Sequence, residues 1–203
     1  MEKQTLQFNE TLVDGITYAI MNFFQLVGCL ILYLLTIWIP YVNIGTTIAM
    51  SYLPVKMAKE EVISPTHIFN AGYRKHMSHF FVLLGIMMIS LIPLLCFFVV
   101  PAIVLYWAWS LSFYFLLEKG KSPIEALKAS YDATDGSKWC IFGIYVVIGI
   151  AYFIAYFIVN KLMCMFIPYW IFITLNIVIV LFIMTISYGL AASMWKQLKD
   201  NVE

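Results

Sequence analysis

The sequence predicts an all-α integral membrane protein of about six transmembrane helices paired as three hairpins, and three observations predict it. Only 11% of its 203 residues are charged while 63% are hydrophobic, and the mean hydropathy is +0.90; a soluble domain carries roughly 25% charged residues. The charges that exist are missing from four long runs, 15–55, 76–117, 139–160 and 162–195. Under a single topology, eleven of the twelve Lys and Arg residues then fall on one side.

A crossing needs about 20 apolar residues at 1.5 Å each. The first two runs are each twice that length and read as two helices, while the last two read as one apiece, separated by Lys161. The expected helices are roughly 17–39, 44–57, 79–100, 101–117, 139–160 and 170–195. Pro40 with Asn43 and Gly45 punctuates the first run, Pro101 the second, and Pro168 closes the last connection, because proline lacks an N–H and disfavours a helical residue before it. Helix 44–57 is short and interrupted by Pro54. The acidic N-terminal stretch with Glu2, Glu10 and Asp14 does not read as a signal peptide, so the first helix is expected to remain in the mature protein.

Lys and Arg favour the cytoplasmic side in short loops. With both termini inside, only Lys161 lies outside, which points to a multi-pass protein of the cell inner membrane. Trp139 and Trp195 would mark the inner interface, and Trp38 and Trp170 the outer one. A hairpin that dips in and returns without crossing satisfies the same charge rule, and 44–57 is where it would apply.

A shift of 58 residues superposes Ser64-Pro65 on Ser122-Pro123, Ala71 on Ala129, Tyr73 on Tyr131 and Gly85-Ile86 on Gly143-Ile144. This predicts a parallel internal repeat carrying two short cytoplasmic amphipathic helices. In the second, Ser122, Pro123 and Glu125 make a capping box, Gly136 closes the helix, and Ile124, Leu127 and Tyr131 share an apolar face. In the first, Phe69, Tyr73 and Met77 would do the same. The faces of Phe69, Tyr73, Leu127 and Tyr131 are candidate partner surfaces.

The run Ser-Pro-Ile-Glu-Ala-Leu-Lys-Ala-Ser at 122–130, followed by Asp-Gly-Ser-Lys-Trp at 135–139, is similar to a segment of uncharacterised bacterial polytopic membrane proteins. These include the membrane domain fused to some glycerophosphodiester phosphodiesterases. The resemblance spans about 18 residues and implies membrane location and fold. The catalytic barrel of those enzymes has no room here, so their activity does not carry over.

Candidate chemistry is sparse. His76 and His79 share a helix side, with His67 as the third histidine, but zinc takes three or four ligands, and polar residues at a helix start explain them. Met163-Cys164-Met165 has the soft ligands that Cu(I) favours, yet Met is abundant and suits adaptable packing. Asp132 and Asp135 beside Gly136 resemble part of a Mg²⁺ headgroup site without completing one. Cys29, Cys96, Cys140 and Cys164 read as small buried hydrophobes. No cofactor or metal is expected, and a net charge of +1 gives no basis for nucleic-acid binding. Arg74, Lys75, Lys119, Lys121 and Lys138 are candidate lipid-headgroup contacts. Within the crossings the polar residues are neutral, which argues against proton-coupled pumping. Gly45, Thr46, Thr47, Ser51 and Pro54 form a candidate pore or broken helix, and Gly45/Ala49 and Ala151/Ala155 have the spacing of close helix contacts.

The leading expectation is a non-enzymatic protein that binds membrane lipid or a partner membrane protein, as scaffold, adaptor or immunity-type protector. A small channel or transporter, alone or as a homo-oligomer, follows; a lipid-headgroup-modifying enzyme comes third.

Overall fold

The computed structural model describes residues 4–163 and 169–202, which are helical with no strand among them. The expected first helix, 17–39, is instead two. Helix α1, Phe8–Met21, ends at Asn22, whose backbone leaves the helical region (φ −106°, ψ 13°) while its side-chain amide donates to the Tyr18 carbonyl at 3.0 Å. Helix α2, Phe23–Thr36, then departs at 68°. An amide that bonds its own preceding turn competes with helix continuation, which is why the break falls on Asn22.

Helix α3, Pro40–Ala58, corrects the expectation of a broken segment. It starts at Pro40, where a missing N–H does no harm, and runs unbroken through Pro54. Its residues Gly45, Thr46, Ile48 and Leu53–Met57 are buried, so neighbouring elements hold the helix together across the proline. Beyond α3, residues 65–69 and 71–76 form two 3₁₀ turns, not one amphipathic helix. Asn70 separates them in an extended conformation, and its side chain accepts a hydrogen bond from the Gly72 N–H at 2.8 Å. The buried side chain there is Ile68; Phe69 and Met77 are exposed, contrary to the predicted face.

Helix α4, Met77–Phe97, contains Pro93 and stops at Phe98. The break therefore comes three residues before Pro101, which lies inside α5, Val99–Ala108. A turn leads to α6, Ser112–Lys119, closed by Gly120 at φ +64°, a left-handed position that glycine adopts without strain. Phe80 of α4 packs on Phe113 of α6 at 4.8 Å between ring centroids, and Ser112 lies against Met87.

Helix α7, Pro123–Ala133, has the expected capping box between Ser122 and Glu125. Its inward face differs from expectation: Ala126, Leu127, Ala129, Ser130 and Ala133 are buried, whereas Ile124 and Tyr131 are exposed. Small residues let α7 approach closely, and Ser130 donates to the Ala108 carbonyl at 2.7 Å while accepting from the Leu111 N–H. Helices α8, Lys138–Met163, and α9, Tyr169–Leu198, agree with the last two expected crossings.

Four stretches are long and apolar enough to cross a membrane: 71–97, 99–119, 138–161 and 170–198. The bent α1–α2 pair would be a fifth, and α3 does not reach the same apolarity, so by length and composition the candidate spans number four or five where six were expected. Only 11–33% of the residues in the most apolar window of each are buried, leaving most of their surface facing outward. The core lies instead around the charged ends, where Trp195, Phe115, Leu111, Leu127, Ile141 and Leu190 pack together. Trp195 is thus a core residue, 1% exposed, and not an interface marker; Trp38, Trp139 and Trp170 are exposed.

The tightest helix contact joins α1 to α9. A Cβ on Gly189 would sit 2.0 Å from the Gly15 carbonyl oxygen, so the two glycines let backbone meet backbone. Of the pairs expected to do this, Ala151 is exposed and Gly45 faces the Arg74 side chain.

Candidate functional site

A cleft of about 390 Å³ lies between α2, α3 and α9. Helix α2 supplies Leu26, Val27, Leu30 and Tyr33; α3 supplies Thr47, Met50 and Ser51; α9 supplies Leu181, Met184, Thr185, Ser187 and Tyr188. The bend at Asn22 creates it, because α2 leaves the α1 direction and returns through α3 beside the middle of α9.

Its polar atoms are almost all hydroxyls, and most are committed as donors to their own helices. Ser51 donates to the Thr47 carbonyl at 3.1 Å, Thr185 to Phe182 at 2.7 Å and Ser187 to Ile183 at 3.0 Å. Thr47 donates to the Asn43 side chain at 3.0 Å, and the Tyr33 hydroxyl lies 3.3 Å from the Thr47 hydroxyl. Hydroxyl oxygens used in this way keep lone pairs free to accept. No charged side chain lines the cleft. A second cavity of about 260 Å³, with Ser110, Tyr114 and Tyr145, meets the first at Ser51, Ser187 and Tyr188. The Ser110 hydroxyl is buried with no hydrogen-bond partner.

No family model, curated protein or solved structure matches this chain. The site must therefore be read from its own chemistry.

Two of the five predicted α3 residues, Thr47 and Ser51, line the cleft, and Pro54 lines the adjoining cavity. Thr46 is buried and donates to the Val42 and Asn43 carbonyls, while Gly45 lies under Arg74. The five basic candidates do not converge on one site. Arg74 stacks over the Tyr41 ring at 4.8 Å, Lys121 over Phe115 at 5.6 Å and Lys138 over Tyr131 at 3.7 Å; Lys75 and Lys119 are exposed. Tyr73 packs near Tyr52, 6.1 Å between centroids.

His67 does not join His76 and His79. Its Nδ1 accepts from the buried Lys56 ammonium at 2.7 Å. Among the described residues no three His, Cys, Asp or Glu side chains converge. Asp135 pairs with Lys138 at 3.4 Å. Cys164 and Met165 lie outside the described residues, as does the side chain of Met163; Cys29, Cys96 and Cys140 are free thiols.

One polar cluster braces the site from the charged end. Glu118 of α6 accepts from the Tyr52 hydroxyl and pairs with Lys59, tying α3 to α6. Burial, then the hydrogen bond to Glu118, pushes the Tyr52 phenol well above its ordinary value. Sequence reasoning missed Tyr33 and Tyr188. Their only signal was a hydroxyl-bearing ring inside a charge-free run, with Tyr188 next to Ser187 in α9; Tyr33 of α2 meets Thr47 of α3 only through the fold.

Proposed function

We propose that this chain is a non-enzymatic membrane protein that holds a glycerolipid, with the cleft between α2, α3 and α9 as its seat. The wall of that cleft carries the reading: six hydroxyl-bearing residues from three helices, set among hydrocarbon side chains, and no ionic group. Apolar pockets with a few placed polar groups are the usual form of a small-molecule site. An acyl chain gains from contact with Leu26, Val27, Leu30 and Met184, and the spare acceptor lone pairs suit a ligand's hydroxyl or amide. A bare ion would find no opposite charge there.

The finer topology belongs to the same proposal. The chain sits in a cell inner membrane with both termini cytoplasmic, supported by the eleven-to-one split of Lys and Arg. Hairpin pairing of α4 with α5–α6 is supported by Phe80 on Phe113 and Met87 on Ser112, and α8 would pair with α9. The 58-residue repeat is supported by matching paths: residues 64–76 run back along α3 as 122–134 run back along α6. The likeness of 122–139 to bacterial polytopic families fits this placing.

Mass spectrometry of lipid bound to the purified protein tests the function. Val27→Trp, which fills the cleft from a partly exposed wall position, should lose bound glycerolipid several-fold. An unchanged lipid complement in that variant refutes the reading. A conduit is the second reading, favoured by the two cavities meeting at Ser51, Ser187 and Tyr188. Solute flux through liposomes that falls with Ser187→Ala would establish it instead.

A further inference from the structure

The path of residues 59–76 limits how α3 can stand in a bilayer. After α3 ends, the chain turns and runs back along it: Lys56 reaches His67, Tyr52 lies beside Tyr73, and Gly45 lies beneath Arg74. A Cβ on Gly45 would sit 3.2 Å from Arg74 Cγ, and the guanidinium continues to the Tyr41 ring. From Lys56 to Gly45 the helix rises about 16 Å.

Were α3 a crossing with Lys56 and Lys59 at one face, Arg74 and Lys75 would sit about 16 Å deep, near the middle of a hydrocarbon core about 30 Å thick. Ionisable groups there are strongly disfavoured. Helix α4 makes a second objection. It begins at Met77, directly after these residues, and its 21 residues extend about 31 Å. Begun from mid-bilayer, it would push its apolar end, Cys96–Phe98, far beyond the opposite face. Both difficulties vanish when Arg74 and Lys75 lie at the water interface on the side of Lys59.

The α1–α2 bend agrees. Helix α1 runs antiparallel to the last turns of α9, with Thr11 beside Gln197 and Gly15 beside Leu190. Helix α2 turns 68° away from that direction, so its length of about 21 Å gains only about 8 Å of depth. Along its outer side Phe24, Ile31 and Leu35 form an exposed stripe, and Trp38, just past its end, is exposed as well. Acyl chains would meet that stripe, and a tryptophan at the tip suits the bilayer interface.

We infer that α2 and α3 form a re-entrant hairpin seated in a single leaflet, the leaflet on the Lys59 side, and that the chain crosses the membrane four times, through α4, α5–α6, α8 and α9. The occupant of the exposed α2 stripe is the acyl region of that leaflet. This holds whether or not the cleft binds a glycerolipid.

The test is labelling of Trp38→Cys, at the hairpin tip, by a membrane-impermeant maleimide in sealed right-side-out and inverted vesicles. Peptide mass spectrometry of the otherwise native chain identifies the labelled cysteine, so the native thiols stay in place. Lys59→Cys and Lys161→Cys report the two faces. The expected result is labelling of Trp38→Cys several-fold faster from the Lys59 side. Equal labelling from both sides, or faster labelling from the Lys161 side, overturns the inference. Where maleimide reacts from neither side, a nitroxide on the same cysteine reports its nearer face through collisions with a nickel chelate confined to one side. Nearest approach from the Lys161 side, or none from either, overturns it likewise.

Discussion

Gly189→Ala adds one methyl group at the point where α1 and α9 touch backbone to backbone. The new Cβ would lie 2.0 Å from the Gly15 carbonyl oxygen and 3.0 Å from the Ala19 nitrogen. Ordinary contact lies above 3 Å, so α1 must retreat by roughly 1.3 Å. That retreat loosens a seam in which Thr11, Gly15, Tyr18 and Ala19 are buried. It also stretches the bonds from Gln197 to Thr11 (3.1 Å) and from Lys196 to the Tyr18 hydroxyl (2.8 Å). Overpacking costs about 1–3 kcal/mol and each weakened hydrogen bond about 1 kcal/mol, against a gain of about 0.5–1 kcal/mol for alanine over glycine in a helix. The net loss is about 2–4 kcal/mol, or roughly 5–15 °C in Tm for a chain of this size. Gly149→Ala is the matched control, because a Cβ there meets nothing within 4 Å and only the helix gain remains. Detergent-purified protein with Cys96, Cys140 and Cys164 replaced by serine would be heated with a thiol-reactive fluorophore that reports exposure of Cys29, which is buried in the fold. A Tm for Gly189→Ala no lower than wild type would refute the backbone-contact seam.

Two further outcomes follow from α7. The Ser122 hydroxyl and N–H hold the Glu125 carboxyl below the ordinary carboxylate range. Its folded pKa is therefore below its unfolded one, so its stabilisation is complete above about pH 4.3 and is lost as pH falls through the lower folded value. Amide exchange at the start of α7 should accelerate there more in wild type than in Glu125→Gln; identical pH profiles would contradict the capping role. Leu127→Asp places a charge in the core and should destabilise by more than about 4 kcal/mol, whereas Tyr131→Asp, exposed beside Lys138, should change stability by less than about 1 kcal/mol. Equal Tm shifts would show that α7 does not dock through Leu127.

The charge-free runs made α8 and α9 legible to within about three residues, because a long apolar segment in lipid has no competitor to a helix. The capping box of α7 was legible for the same kind of reason: Ser122, Pro123 and Glu125 act within one turn. The α7 face was misread because Ile124 and Tyr131 were ranked by hydrophobicity. In the fold, alanines and Ser130 take the inner side, since Ser130 must reach the Ala108 carbonyl through a gap that larger residues would block. Trp195 was misread through the habit of placing tryptophan at interfaces, whereas Phe115 packs against its ring at 4.9 Å. The cleft was half legible. Thr47 and Ser51 stand out in α3, but their partners on α9 lie more than 130 residues away, and only the Asn22 bend brings them together.

The distribution of packing explains why so little of the spans is buried. Hydrophobic association needs water as the alternative, and lipid chains offer none, so apolar helices gain little by leaving lipid for one another. At the charged end water is the competing solvent, and there α1, α3, α6 and α7 gather around the ends of α8 and α9 with Leu111, Phe115, Leu190 and Trp195 at the centre. The polar links concentrate at the same end: Glu118 with Tyr52 and Lys59, Ser130 with Ala108, Lys196 with Tyr18. A fold anchored at one end leaves the apolar surface of its candidate spans largely uncovered. The cleft lies where that anchored layer meets α9, and a ligand there touches both the rigid end and the lipid-facing one. Occupancy should therefore raise protection in α2 and in the middle of α9, beside the cleft, far more than in α7, which the core already holds.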